Sequence, residues 1–218
     1  MLHRLWQILF PPRCILCHKF LKKEETDLCH HCREHAPEAK KEKIKFSFLA
    51  RWCALWYYKE DARNSLLRYK FGHKQNYAAI YAQLLAMKLQ RFGMDSPQVL
   101  SWVPVSALRR WTRGFDQSEN IALALGRELG ISAVCTLKKV RHTPPQSGIG
   151  NAAARRANVL GAYRVTDPEL IRDKTVLLID DVLTTGATVS ECAKTLCLAG
   201  AKEVSCAVVA VAAHSHKK

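Results

Sequence analysis

The chain has 218 residues, 48% of them hydrophobic, enough for one main domain with a core of its own and a small appendage. It contains no apolar run of about 18 residues, which excludes a conventional membrane-spanning helix. A formal net charge of +15 points to a polyanionic partner, either nucleic acid or a multiply phosphorylated ligand, and composition does not choose between them.

Met1 to Phe10 is apolar with His3 and Arg4, but it lacks a small-residue cleavage site and runs into Pro11 and Pro12, so it is not read as a signal peptide. Nine cysteines, an odd number, do not form a secreted disulfide framework and predict a reducing cytoplasm. Four of them, Cys14-x-x-Cys17 and Cys29-x-x-Cys32, have the spacing of a tetrahedral structural zinc site. Residues 1–36 are too few for a core of their own, so metal binding is expected to supply most of this ribbon's folding energy. His18, Lys19, His30, His31 and Arg33 offset the negative charge of a zinc tetrathiolate. Residues 37–47 read as a polar linker, and residues 48–218 as the main domain.

In that domain, Cys53 to Tyr58 is an aromatic-rich strand. Lys59 to Tyr69 predicts a helix with Ala62, Leu66 and Tyr69 inward, and Asn76 to Leu89 a second with Ile80, Leu84 and Met87 inward. Val99 to Val103 is a parallel-type strand ending at Pro104, and residues 117–129 form a helix through Ile121, Leu125 and Leu129, closed by Gly130. Val134 to Val140 is a third strand candidate, and residues 141–158 form either a short helix or a mobile loop. Two strands, Lys174 to Ile179 and Val204 to Ala212, flank a helix over 187–199 with Val189, Cys192, Ala193 and Leu196 inward. Cys53, Cys135, Cys197 and Cys206 are read with Cys192 as small core hydrophobes, and Ser215 to Lys218 as a basic tail. Strand–helix alternation of this kind predicts an α/β fold with a mostly parallel sheet flanked by helices.

The most informative run is Val176-Leu-Leu-Ile-Asp180-Asp181-Val-Leu-Thr184-Thr185-Gly186-Ala187-Thr188. Its apolar start suits a strand buried on both faces, with two carboxylates where that strand ends. Open α/β sheets bind ligands beyond the carboxyl ends of their strands. Thr184 to Thr188 offer hydroxyls, consecutive backbone N–H groups and a helix N-terminus, which together cradle a phosphate. Asp180 and Asp181 can accept hydrogen bonds from two neighbouring hydroxyls or hold a divalent cation. A sugar phosphate with a vicinal diol satisfies both halves.

This segment resembles the ribose-phosphate signature of type I phosphoribosyltransferases. Over nearly its full length, the chain resembles the ComF family of competence-associated proteins, which have an N-terminal zinc ribbon and a type I phosphoribosyltransferase fold. The resemblance is carried by the cysteine knuckles, Leu67-Arg68-Tyr69-Lys70-Phe71-Gly72, Val103-Pro104-Val105-Ser106, Arg113-Gly114-Phe115-Asp116-Gln117-Ser118-Glu119, the spacing of Gln146, Arg155 and Asn158, and the terminal signature. Asp116 stands where that family usually has asparagine, which puts a negative charge beside a basic loop. No glutaminase segment like that of the amidophosphoribosyltransferases is present, so their activity is not carried over.

The resemblance implies that Asp180 and Asp181 hold the ribose diol of phosphoribosyl pyrophosphate, and that Thr184, Thr185, Gly186, Ala187 and Thr188 hold its 5-phosphate. Pro104, Val105 and Ser106 correspond to a pyrophosphate loop, within reach of Arg109, Arg110 and Arg113, whose guanidiniums match phosphate geometry. Magnesium is expected with the ligand, neutralising the pyrophosphate. Arg141, Gln146 and Arg155 lie on the stretch that resembles the family's mobile loop; the alternative is a contact to a nucleic-acid backbone, and Lys70 and His73 share that ambiguity. Trp111 is a candidate for base stacking, whereas Trp102 belongs to the core. The implied partners are phosphoribosyl pyrophosphate, internalised single-stranded DNA and other DNA-uptake or helicase proteins. The competing reading is a non-catalytic nucleic-acid-binding module with a relic or sensory sugar-phosphate site.

Overall fold

The computed structural model describes residues 11–40, 44–72, 74–144 and 151–212. Met1 to Phe10, His73, Gln146, Ser147, Gly148, Gly150, the tail from Ser215 and the side chain of Arg113 lie outside the described residues. Four parallel strands form the central sheet in the order β1 (Trp52–Tyr57), β6 (Glu203–Val211), β5 (Thr175–Leu183), β2 (Val99–Trp102). Alternate residues of the buried strands feed two cores: Leu177 and Ile179 of β5 face one way, Val176 and Leu178 the other.

The first core holds α2 (Glu60–Phe71), α3 (Tyr77–Phe92), α5 (Gln117–Leu129) and the cysteine knuckles. The second holds α7 (Ala187–Leu198), Val159 at the end of α6 (Ala152–Val159), and a separate antiparallel pair, β3 (Leu137–Lys139) with β4 (Tyr163–Val165). Two short helices complete the order, α1 (His30–His35) in the ribbon and α4 (Ala107–Arg113) after β2. The mostly parallel sheet flanked by helices agrees with the α/β reading of the sequence.

In α2 the predicted stripe Ala62, Leu66 and Tyr69 is fully buried, as are Cys192, Ala193 and Leu196 of α7. Helix α3 is rotated from expectation: Met87 is 55% exposed, and Tyr77, Ala78, Tyr81, Ala82 and Leu85 are buried. The alanines let α3 approach closely, and Tyr81 sinks into an aromatic cluster with Trp56, Tyr69 and Tyr77. Residues 134–140 are not a strand of the main sheet, which Ala133 joins only by a single bridge to Leu100. Cys135 is exposed and donates to the Leu137 carbonyl, so it is not a core residue. Glu38 and Ala39, in the segment read as a linker, lie against β1, and Phe46 is buried.

Candidate functional site

Strand β5 runs past the acidic pair to Leu183 by pairing with β6, whereas β2 accompanies it only to Ile179. Asp180 and Asp181 therefore stand on a stretch of β5 from which β2 has departed, and they line a cavity of about 270 Å3. Thr184 and Thr188 from the following loop, Pro104 and Val105 after β2, and the cations Lys70, Arg109, Lys139 and Arg155 complete its polar wall.

The two carboxylates have different partners. Asp180 Oδ1 accepts the Ser118 hydroxyl at 3.0 Å and the backbone N–H of Asp181 at 2.8 Å. Burial raises the Asp180 pKa to about 7; the neighbouring Asp181 charge pushes the same way, and the hydrogen bonds and Lys70 pull back. Asp181 Oδ2 lies 2.7 Å from Lys70 Nζ.

The threonine loop has two sides. Thr185 and Ala187 face a second cavity, of about 300 Å3, together with Phe46. Gly186 caps α7 in a left-handed conformation, φ 73°, and a Cβ there would lie 2.1 Å from the Phe46 ring. Phe46 in turn meets Trp52 edge-on at 5.5 Å, and Trp52 Nε1 donates to the Ile44 carbonyl at 2.8 Å. Residues 44–52 thus brace the loop from behind.

On the opposite wall, Ser106 is buried, and its hydroxyl caps α4 by accepting the N–H of Arg109. Asp116 is the buried N-cap of α5: Oδ1 accepts from Ser118 and Glu119 N–H at 3.0 and 3.2 Å, and Oδ2 from Val105 N–H at 2.9 Å. A carboxylate thus ties the Val105 loop to α5, a double task for which an amide has only one acceptor oxygen. Burial raises its pKa against those three bonds.

Arg109 lines the cavity and donates to the Thr143 carbonyl at 3.0 Å, whereas Arg110 is committed to Glu119 at 2.8 Å. Arg113 ends α4 before Gly114. Arg155 lines the cavity; Arg141 instead donates to the Asn158 and Leu160 carbonyls at 3.1 and 2.8 Å and holds the turn after α6.

Lys139 is a cavity residue that motif reasoning missed. The sequence carries a signal for it, because alternation along β3 puts residue 139 on the same side as buried Leu137. Its ammonium lies 5.3 Å from the centre of the Tyr163 ring, and burial, then the charge of Arg109, lower its pKa to about 8.

A larger cavity, of about 350 Å3, lies where the ribbon meets the main domain, lined in part by Trp56, Ile80, Leu84 and Met87. Its lysine, Lys88, is already paired with Glu38 at 2.7 Å, and it is remote from the strand ends where ligands of such sheets bind.

In the ribbon, the sulfurs of Cys14, Cys17, Cys29 and Cys32 all lie within 4.8 Å of one another, with Cys17 and Cys29 3.7 Å apart. Zinc–sulfur bonds of about 2.3 Å in a tetrahedron require sulfurs about 3.8 Å apart, so the four thiols fit the ion. Zinc bound there cross-links the two knuckles.

Fold and site define a phosphoribosyltransferase-type domain that carries an N-terminal zinc ribbon. Comparisons with known proteins agree: the phosphoribosyl transferase domain family matches residues 117–218, and the double zinc ribbon domain family residues 5–43. The chain is 33% identical over 140 residues to DNA utilization protein YhgH of Salmonella typhimurium, a match covering 62% of this chain and 60% of that protein. It is 26% identical to Competence protein F of Haemophilus influenzae, over 88% of this chain and 93% of that protein. With Competence protein ComFC of Streptococcus pneumoniae it shares 27% identity, over 88% of this chain and 96% of that protein. Over most of its length the chain is thus similar to Competence protein F and Competence protein ComFC.

Proposed function

We propose that this protein binds phosphoribosyl pyrophosphate with magnesium in the cavity beyond β5, and that it acts in the cytoplasm on internalised single-stranded DNA during competence. The observation that carries the ligand is the convergence on one cavity of two adjacent carboxylates, a threonine loop at a helix N-terminus and four cations. Asp180 and Asp181 receive the ribose diol, the Thr184 and Thr188 side chains with backbone N–H groups of the 184–188 loop the 5-phosphate, and the Pro104 to Ser106 loop with Arg109 the pyrophosphate. Among the described residues no carboxylate cage suits a magnesium ion, so the ion is carried mainly by the ligand's own oxygens, as its preference for retained water and phosphate allows. Bound there, it neutralises charge on the pyrophosphate.

Transfer at this site is displacement of pyrophosphate from C1 of the ribose by a nucleophile, the C1–O electron pair leaving with the pyrophosphate. Calorimetric titration with phosphoribosyl pyrophosphate and magnesium tests binding. Incubation with a panel of nucleobases, amines and DNA tests turnover. Pyrophosphate release that depends on one acceptor identifies an enzyme. Binding without release supports the second reading, a nucleic-acid-binding module with a sensory sugar-phosphate site, which the 83% exposure of Trp111 beside the cavity loop favours. No calorimetric binding refutes the ligand.

A further inference from the structure

We propose that the zinc centre and the sugar-phosphate cavity are energetically coupled through helix α2, with Arg68 as the positioning residue at the ribbon end and Lys70 as the contact at the cavity end. The consequence for ligand affinity rests on the function proposed above; the mechanical link does not.

The guanidinium of Arg68 donates from one nitrogen to the carbonyls of both Ile15, at 2.9 Å, and Leu16. These are the two residues between the zinc ligands Cys14 and Cys17. Arg68 Nε is buried with no hydrogen-bond partner among the described residues, and no carboxylate there forms an ion pair with Arg68. Arg68 is half-buried, and a guanidinium whose Nε is buried without a partner and which has no carboxylate at ion-pair distance is left with an uncompensated desolvation cost. Four thiolates around one divalent zinc carry the net negative charge that offsets it, so Arg68 serves the loaded centre both as clamp and as counter-ion.

Successive helix residues turn by about 100°, so Arg68 and Lys70 project from nearly opposite sides of α2. Tyr69 lies between them, fully buried, with its hydroxyl donating to the Gln117 carbonyl at 2.9 Å and its ring 5.5 Å from those of both Tyr81 and Phe115. The last turn of α2 is therefore a bar fixed at three points: the knuckle, helix α5 and Asp181. Without zinc, Arg68 loses its counter-charge and a rigid pair of acceptors, the turn loosens, and Lys70 no longer holds Asp181 in register with the diol. Coupling of this kind is reciprocal: whatever factor zinc contributes to ligand affinity, the ligand must return to zinc affinity.

The test uses the full chain, zinc-loaded and zinc-stripped. Removing zinc is expected to weaken phosphoribosyl pyrophosphate binding about 5–10-fold by calorimetry, and the bound ligand to tighten zinc by the same factor in competition with a chromogenic chelator. Arg68→Met retains all four thiols and should bind zinc while its ligand affinity no longer depends on zinc. Arg68→Lys keeps the charge but not the fork, and should leave only part of the coupling. A ligand-free arm follows hydrogen exchange of amides 66–71, whose protection should fall when zinc leaves the wild-type chain. If the zinc-loaded protein binds no sugar phosphate, the reading of the cavity fails and the exchange arm alone decides the link. Exchange at 66–71 that is indifferent to zinc overturns the link, and ligand affinity indifferent to zinc overturns the coupling.

Discussion

Asp180 and Asp181 are neighbours in sequence with opposite electrostatic circumstances. Asp181 has an ammonium 2.7 Å away, and Asp180 has only neutral donors at hydrogen-bond distance. Replacing both with asparagine keeps their shape and removes the charges proposed to receive the diol. Each lost charge-assisted bond should cost roughly 1.5–3 kcal/mol of affinity for phosphoribosyl pyrophosphate, read by calorimetry, with little change in thermal stability. Unchanged affinity in the double variant would remove the carboxylates from the site. The pH dependence follows from two shifted groups. Asp180, raised to about 7, carries its proton below that pH and then cannot accept both hydroxyl hydrogens, so affinity should climb as pH rises through 7. Lys139, lowered to about 8, loses its positive charge above that pH, so affinity for an anion should fall again on the alkaline side. The groups that set this limb are Arg109 and Arg141, which lower the Lys139 pKa, and Asp180 and Cys192, which raise it. Lys139→Arg should therefore abolish the alkaline fall and leave the acid limb in place; a fall that persists in this variant assigns the limb to another group.

At the scale of elements, the threonine loop depends on a residue far from it in sequence. Phe46 occupies the space where any side chain at position 186 would begin, and Gly186 also has a left-handed backbone. Gly186→Ala should destabilise the fold by at least about 1–2 kcal/mol from the backbone conformation alone, with the Phe46 clash added. Phe46→Ala alone should also destabilise, because Phe46 is buried. In that background Gly186→Ala should cost only its backbone strain, less than it costs in the wild-type chain, as a double-mutant cycle by thermal denaturation reads. An equal cost of Gly186→Ala in the wild-type and Phe46→Ala backgrounds would mean that Phe46 does not press on the loop. The same comparison explains what a reader of the sequence can see. β5, α7 and the acidic pair were legible because a pure apolar run, a carboxylate pair and a threonine–glycine turn are contiguous, and the stripe of α2 because Leu66 and Tyr69 keep helical spacing. The inward face of α3 departs from the expected aliphatic stripe because close packing selects alanines and tyrosines. Helix α4 has little signature in the sequence because seven residues carry little periodicity, although Ser106 is a recognisable cap. The buttress by Phe46, the Lys70 pair and the capping role of Asp116 are tertiary contacts with no local signature. Asp116, a negative charge beside a basic loop in the sequence, is in the structure a buried tie between two elements.

For the molecule as a whole, 34 lysines and arginines stand against 19 aspartates and glutamates, and those carboxylates are partly spent on internal pairs such as Glu38 with Lys88 and Glu119 with Arg110. The cavity can absorb only a few of the remaining cations. The excess is therefore a property of the surface and suits a long polyanion better than a single small ligand. Binding of single-stranded DNA through its backbone releases counterions, so log affinity should fall with log salt by about 0.7 for each phosphate neutralised. Affinity should depend little on base sequence, because phosphate contacts position a strand without specifying it. Trp111, 83% exposed on α4, adds a stacking surface, and Trp111→Ala should cost about 1–3 kcal/mol if one base stacks on it, without altering the salt slope. Phosphoribosyl pyrophosphate should compete with the DNA wherever both engage Arg109 or Arg155 at the cavity mouth. Fluorescence anisotropy on a labelled oligonucleotide at several salt concentrations, with and without the sugar diphosphate, reads all of these quantities. A shallow slope with no competition would confine the cavity cations to the small ligand, and no binding at low salt would remove DNA from the direct partners of the isolated chain.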